Sequence, residues 1–155
     1  MKLRDTERAM KPTPVSDELF DAFRRSYDVL RRGEWDTYTS TLHDDVEVHQ
    51  SPDMPGTRGI FRGKRGAVQA MEEIAESFDD IDWQPKHIYD LGDGRFLSLV
   101  KPKTRGKGSG IEVEAEVGHV VHMRDGKIAR LDAYLGWENA FKAVGLSEQD
   151  AHADS

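Results

Sequence analysis

Phe20, Phe23, Tyr27 and Leu30 recur at spacings of three, four and three residues, which predicts the buried face of a helix. Ser16 caps it, Asp17 and Glu18 suit its first turn, and Gly33 ends it. A short second helix carries Trp35, Tyr38 and Leu42 on one side. Residues 46–50 read as a strand stopped by Ser51-Pro52. Residues 52–66 hold two prolines and four glycines, which predicts a loop. A third helix is expected from about residue 64 to 78, with Val68, Met71, Ile74, Ala75 and Phe78 inward.

The second half reads mostly as strand. Residues 82–91 and 95–103 flank the hairpin turn Gly92-Asp93-Gly94, and 111–124 and 127–135 flank Asp125-Gly126. Trp137, Ala140, Phe141 and Val144 mark a short last helix before Gly145. Helices followed by strands indicate an α+β architecture. Strands near ten residues exceed the usual length and tend to curl. The expected fold is a cone-like curved antiparallel sheet covered by three helices, with a pocket at the wide end.

Length and charge narrow this picture. The 155 residues suit one domain over 16–147, with a loose arm at 1–15 and a tail at 148–155. The net charge of −7 argues against a nucleic-acid partner, and the basic stretch Lys101 to Lys107 reads as a solvated loop. Apolar runs are too short for a membrane span, and the first residues have no secretory apolar core. The absence of cysteine removes thiol chemistry and fits a reducing cytoplasm.

Three stretches carry a family resemblance: Gly33-Glu34-Trp35-Asp36 with Leu42 to Val48, Phe61 to Val68, and Arg124 to Ile128 with Ala133 to Gly136. On them the chain resembles the SnoaL-like branch of the nuclear-transport-factor-2-like superfamily, and Gly106 to Glu114 with Ala143 to Glu148 looks like an uncharacterised bacterial subgroup of it. That group includes polyketide cyclases, ketosteroid isomerases and limonene epoxide hydrolase. The resemblance implies a cone-shaped cavity, a small apolar guest, no cofactor, and often a homodimer packed through the outer sheet face. It also implies cyclase, isomerase, dehydratase or epoxide-hydrolase chemistry, or else ligand binding or dimeric interaction without turnover.

The catalytic sets of those enzymes do not carry over intact. The isomerase pattern of an Asp base, a Tyr and a protonated Asp falls on Gln50, Ser26 and Gly118, with Tyr27 adjacent. The epoxide hydrolase Tyr, Asn and water-activating Asp fall on Val48, Gln50 and Ala133, and its Arg and second Asp on Val100 and Pro102. Both comparisons converge on Gln50 as a cavity-facing group.

Other candidates come from the strands. A two-residue loop at Asp125-Gly126 places His119 opposite Asp132, close enough for a His–Asp general base. By family analogy Gly118, Val120, Ala133 and Leu135 face the cavity, which would turn that pair outward unless a β-bulge intervenes. The same alternation turns Glu112, Glu114 and Glu116 inward, where an apolar cavity would raise a carboxyl pKa. Glu116, His119 and Asp132 are therefore the catalytic candidates. Tyr27, Trp35, Tyr38, Gln50, Trp83 and Glu114 are the substrate-binding ones. His43, Asp44, Asp45 and His49 lack metal-ligand spacing, and Asp44-Asp45 reads as a turn.

Overall fold

The computed structural model describes residues 12–54 and 59–147. Its first strand is β1 (Thr13–Pro14), followed by helices α1 (Asp17–Arg32) and α2 (Trp35–Ser40). Next come β2 (Leu42–Gln50), β3 (Gly59–Arg62), α3 (Gly63–Ala75) and β4 (Phe78–Asp82). The second half holds β5 (Pro85–Gly92), β6 (Arg95–Val100), β7 (Lys103–Gly106), β8 (Glu112–Glu114), β9 (Val117–Arg124), β10 (Lys127–Leu135) and α4 (Trp137–Ala143). No described helix is long and apolar enough to cross a membrane.

The α+β architecture follows the hydrophobic pattern, but Leu42 and Phe78, expected on helices, open β2 and β4. Ser16 accepts a hydrogen bond from the Leu19 N–H, and Gly33 closes α1 in the left-handed region at φ 67°. The expected loop at 52–66 instead supplies β3 and the start of α3. Asp44 and Asp45, expected in a turn, lie within β2. Part of the N-terminal arm is also a strand, since Thr13 and Pro14 pair with Asp90 and Tyr89. Residues 1–11 and the tail 148–155 lie outside the described residues.

The four long strands expected in the second half are divided. Pro102 has no N–H to donate, and β6 ends two residues before it. β4, β7 and β8 form a separate three-stranded sheet. The main sheet is open and seven-stranded, in the order β1-β5-β6-β9-β10-β2-β3. It is mixed rather than antiparallel, because β2 runs parallel to β10. The two strands are distant in sequence, so no turn dictates their direction.

Both faces of this sheet are covered. On one face Leu97, Leu99 and Val120 pack against Ala140, Phe141 and Val144 of α4 and the segment after it. On the other, Leu42, Val46 and Val48 meet Ala67 and Ala70 of α3. Tyr27 of α1, Trp83 and Val100 form a third cluster beside them.

One irregularity decides which face each residue of the last hairpin takes. Asp125 and Gly126 both have positive φ, at 54° and 76°, as a two-residue type I′ turn requires. The register then shifts by one between Ile128 and Arg130. His119 therefore pairs with Ala133, and Asp132 pairs with Val120. The expected His119–Asp132 pair is corrected: the extra residue, Ala129, moves the two side chains to opposite faces. Gly118 and Val120 are corrected with it. They face α4, and a Cβ on Gly118 would stand 2.2 Å from the Cβ of Ala140.

Candidate functional site

A cavity of about 310 Å³ lies between the main sheet and helices α1 to α3. Its wall is mostly apolar and includes Leu19, Phe23, Val46, Val48, Val121 and Met123. Gln50, His119 and Tyr27 gather at one end, while Tyr38 and Thr41 line the other beside Ile128. Along β9, His119, Val121 and Met123 alternate onto the cavity face, so the apolar shaft beyond His119 is about 13 Å long.

The polar end is built from one transverse row of the sheet. Gln50 pairs with Ala133, Ala133 with His119, and His119 with Ser98. Residues in register share a face, so these four side chains all point toward the cavity side. Ala133, between the two larger side chains, is covered by Met54, which lines the cavity with them. Gln50 and His119 thus stand two strand spacings apart, about 10 Å between their Cα atoms.

Tyr27 stands over this row from α1. Its Oη lies 2.8 Å from His119 Nδ1 and donates a hydrogen bond to Ser98 Oγ at 2.9 Å. Its ring stacks on His119 at a centroid distance of 5.7 Å. Trp83 holds the imidazole from another side at 5.9 Å. With Nδ1 engaged by Tyr27, Nε2 is the ring nitrogen left for a guest.

Burial sets the charge state. His119 is 6% exposed, and desolvation lowers its pKa to about 4, so the imidazole is neutral at physiological pH. Desolvation drives the Tyr27 hydroxyl well above the ordinary phenol range, against a smaller opposing effect of the Ser98 hydrogen bond. Tyr38, also on the cavity wall, is pushed up to about 12 by burial. Gln50 is likewise 6% exposed, and its Oε1 is buried with no hydrogen-bond partner among the described residues. Such an orphan costs about 1–3 kcal/mol.

The structure sorts the sequence-derived candidates. It brings His119, Tyr27, Tyr38, Gln50 and Trp83 onto one cavity. Trp35 instead lines a separate open groove with Asp36, Lys64 and Glu72. Glu112 and Glu114 are exposed on β8 of the small sheet. Glu116 is half exposed near Lys101. The expected inward carboxylates are therefore corrected: the long strand that would have carried them breaks between β8 and β9. Asp132 is buried on the opposite face, bonded to His122 at 3.1 Å and to Arg130 at 2.9 Å. Burial alone would raise its pKa, but these two partners outweigh burial and hold the carboxyl below its usual range.

Ser98 was not anticipated. Its one signal is a hydroxyl in the otherwise apolar run from Phe96 to Val100. The isomerase-type Tyr and Asp positions had aligned to Ser26 and Gly118. The residues that meet in the cavity, Tyr27 and His119, each lie one position further on.

An open mixed sheet covered by helices around one apolar cavity defines the class of protein. The chain belongs to the SnoaL-like domain family, which it matches over residues 23–131. No curated protein matches significantly. Among solved structures it is similar to an NTF2-like protein of unknown function from Burkholderia pseudomallei (TM-score 0.66, 15% identity, covering 81% of this chain and 96% of that one). It is similar to TerC co-crystallised with polyporic acid (TM-score 0.66, 20% identity, covering 81% and 96%). A protein with a ketosteroid isomerase-like fold from Catenulispora acidiphila, in complex with trimethylamine, is also similar (TM-score 0.64, 11% identity, covering 85% and 95%). At these identities the likeness is one of fold.

Proposed function

We propose that this protein is a cofactor-independent enzyme that moves a proton on a small, neutral, largely apolar carbonyl compound. One observation carries the reading: a neutral imidazole, fixed by Tyr27 and Trp83, faces a largely apolar cavity that the orphaned Gln50 amide oxygen also lines. Among the described residues lining the cavity, only Tyr27, Tyr38 and His119 titrate, and both phenols are held protonated. His119 is the group able to accept a proton.

In this scheme the guest lies in the cavity between Gln50 and His119. The Gln50 amide turns to present its N–H in place of the orphaned Oε1, the guest's carbonyl oxygen accepts from that N–H, and its acidic C–H faces Nε2. The C–H proton passes to Nε2, and the electron pair of that bond moves into the carbonyl to give an enolate held by Gln50. Where a C=C adjoins the acidic carbon the enolate is a dienolate, and the imidazolium returns the proton to its far carbon, which moves the double bond into conjugation with the re-formed carbonyl and regenerates His119. A base of pKa about 4 is adequate, since a ketosteroid isomerase uses one of about 4.6. An uncompensated charge would lose its hydration on entering this cavity, so the reading favours neutral guests.

The test is solvent deuterium incorporation into a panel of cyclic β,γ-unsaturated ketones, followed by proton NMR. The expected result is exchange with the native protein and loss with His119→Gln while the ketone still binds. Ketones that bind without exchanging would overturn the catalytic reading in favour of a binding role.

A further inference from the structure

We propose that Ser98 is a positioning residue that sets the tautomer of His119, acting through Tyr27. Ser98 is fully buried in the middle of β6 and is the register partner of His119. The two side chains share the cavity face, and Tyr27 Oη sits within hydrogen-bond distance of both, at 2.9 and 2.8 Å.

A phenol has one hydrogen. Tyr27 donates it to Ser98 Oγ. The short contact between Tyr27 Oη and Nδ1 then needs its hydrogen from the ring, so Nδ1–H donates to the phenol oxygen. A neutral imidazole with its proton on Nδ1 carries a lone pair on Nε2, the nitrogen left for a guest. Removing the Ser98 hydroxyl takes away the acceptor that holds the phenol hydrogen. That hydrogen then turns to Nδ1, the ring proton moves to Nε2, and the base becomes a donor. Ser98 reaches the chemistry only by this route, two hydrogen bonds from Nε2.

The inference uses the reading of His119 as a base for its kinetic consequence, but the tautomer is measurable without any substrate. Long-range nitrogen–proton NMR of the full chain, labelled at histidine, distinguishes protonated from unprotonated ring nitrogens. The native protein should show Nδ1 protonated and Nε2 bare. Ser98→Ala should shift the tautomer ratio toward Nε2–H by about tenfold, the equilibrium worth of one buried hydrogen bond. Ser98→Thr, which keeps the hydroxyl, should restore the native pattern. In a Tyr27→Phe background, Ser98→Ala should change nothing. On an exchanging ketone, Ser98→Ala should lower kcat by the same factor as the tautomer population and leave KM in place.

Nε2 protonated in the native protein overturns the proposal. So does an unchanged ratio in Ser98→Ala, or an effect of Ser98→Ala that persists without the Tyr27 hydroxyl. If the tautomer responds as expected but no ketone exchanges, the positioning role stands and the catalytic reading fails.

Discussion

Gln50 and His119 face one another across Ala133, which is the register partner of both. This places the unpartnered amide oxygen of one and the neutral imidazole of the other at the same depth in the sheet. Met54 packs on the Ala133 methyl group between them. The polar end of the cavity is therefore a consequence of strand register, and the expectations below follow from it.

The cavity between Gln50 and His119 should be sensitive to volume at Ala133. Ala133 is 1% exposed and packs with Met54, Val117 and Leu135. Ala133→Leu displaces Met54 toward the cavity and adds overpacking strain of about 1–3 kcal/mol. Titration calorimetry with naphthol as a neutral probe should show binding about tenfold weaker or more. Unaltered binding would put the guest elsewhere.

Gln50 should cost stability in the empty protein. Gln50→Met is close in volume and removes the orphaned amide oxygen. The substitution should raise unfolding free energy by about 1 kcal/mol while weakening naphthol binding. Urea denaturation beside the same calorimetry checks both halves, and a destabilised variant would mean that the amide already has a partner.

The buried imidazole should make stability depend on pH. The folded pKa of His119 is about 4, against 6.5 for an ordinary histidine. Above 6.5 neither the folded nor the unfolded state binds a proton here, and this contribution to stability is fully present. As pH falls below 6.5 the unfolded chain takes up a proton that the folded protein refuses, so stability drops until pH approaches 4. Over that window the loss amounts to roughly 3 kcal/mol. Urea midpoints measured across it should fall more steeply for the native protein than for His119→Gln. Parallel curves would show that the ring is solvated.

Gly118 should be required for the packing of α4. A Cβ there meets the Cβ of Ala140 at 2.2 Å, so Gly118→Ala should destabilise the fold by about 1–3 kcal/mol. The double variant with Ala140→Gly vacates that space and should recover part of the loss. Thermal unfolding of the three variants measures the coupling, and simple additivity would place the strain elsewhere.

Much of the fold is legible in the residue pattern because its signals are local. The cap at Ser16, the stop at Gly33 and the turn at Asp125-Gly126 each depend on a few neighbouring residues. Gln50 was legible too, since strand alternation in β2 places it with Val46 and Val48. Glu114 and Glu116 were misplaced because two strands were read as one, and alternation cannot be carried across a break. The outward assignment of His119 failed for a related reason. A one-residue bulge at Ala129 reverses the facing of the whole hairpin relative to its partner, and alanine carries no bulge signal.

The sequence by itself therefore determined most element types, the family and a wider set of candidates, in which Tyr27, Tyr38, Gln50, Trp83 and His119 stood beside Trp35, Glu114, Glu116 and Asp132. Tertiary structure decided which of them meet. The parallel pairing of β2 with β10 brought Gln50 beside Ala133, and the bulge brought His119 to its other side. The packing of α1 over β6 joined Tyr27 to Ser98, 71 positions away. Contacts at such separations come from the closing of the sheet, where packing over the whole domain sets the register.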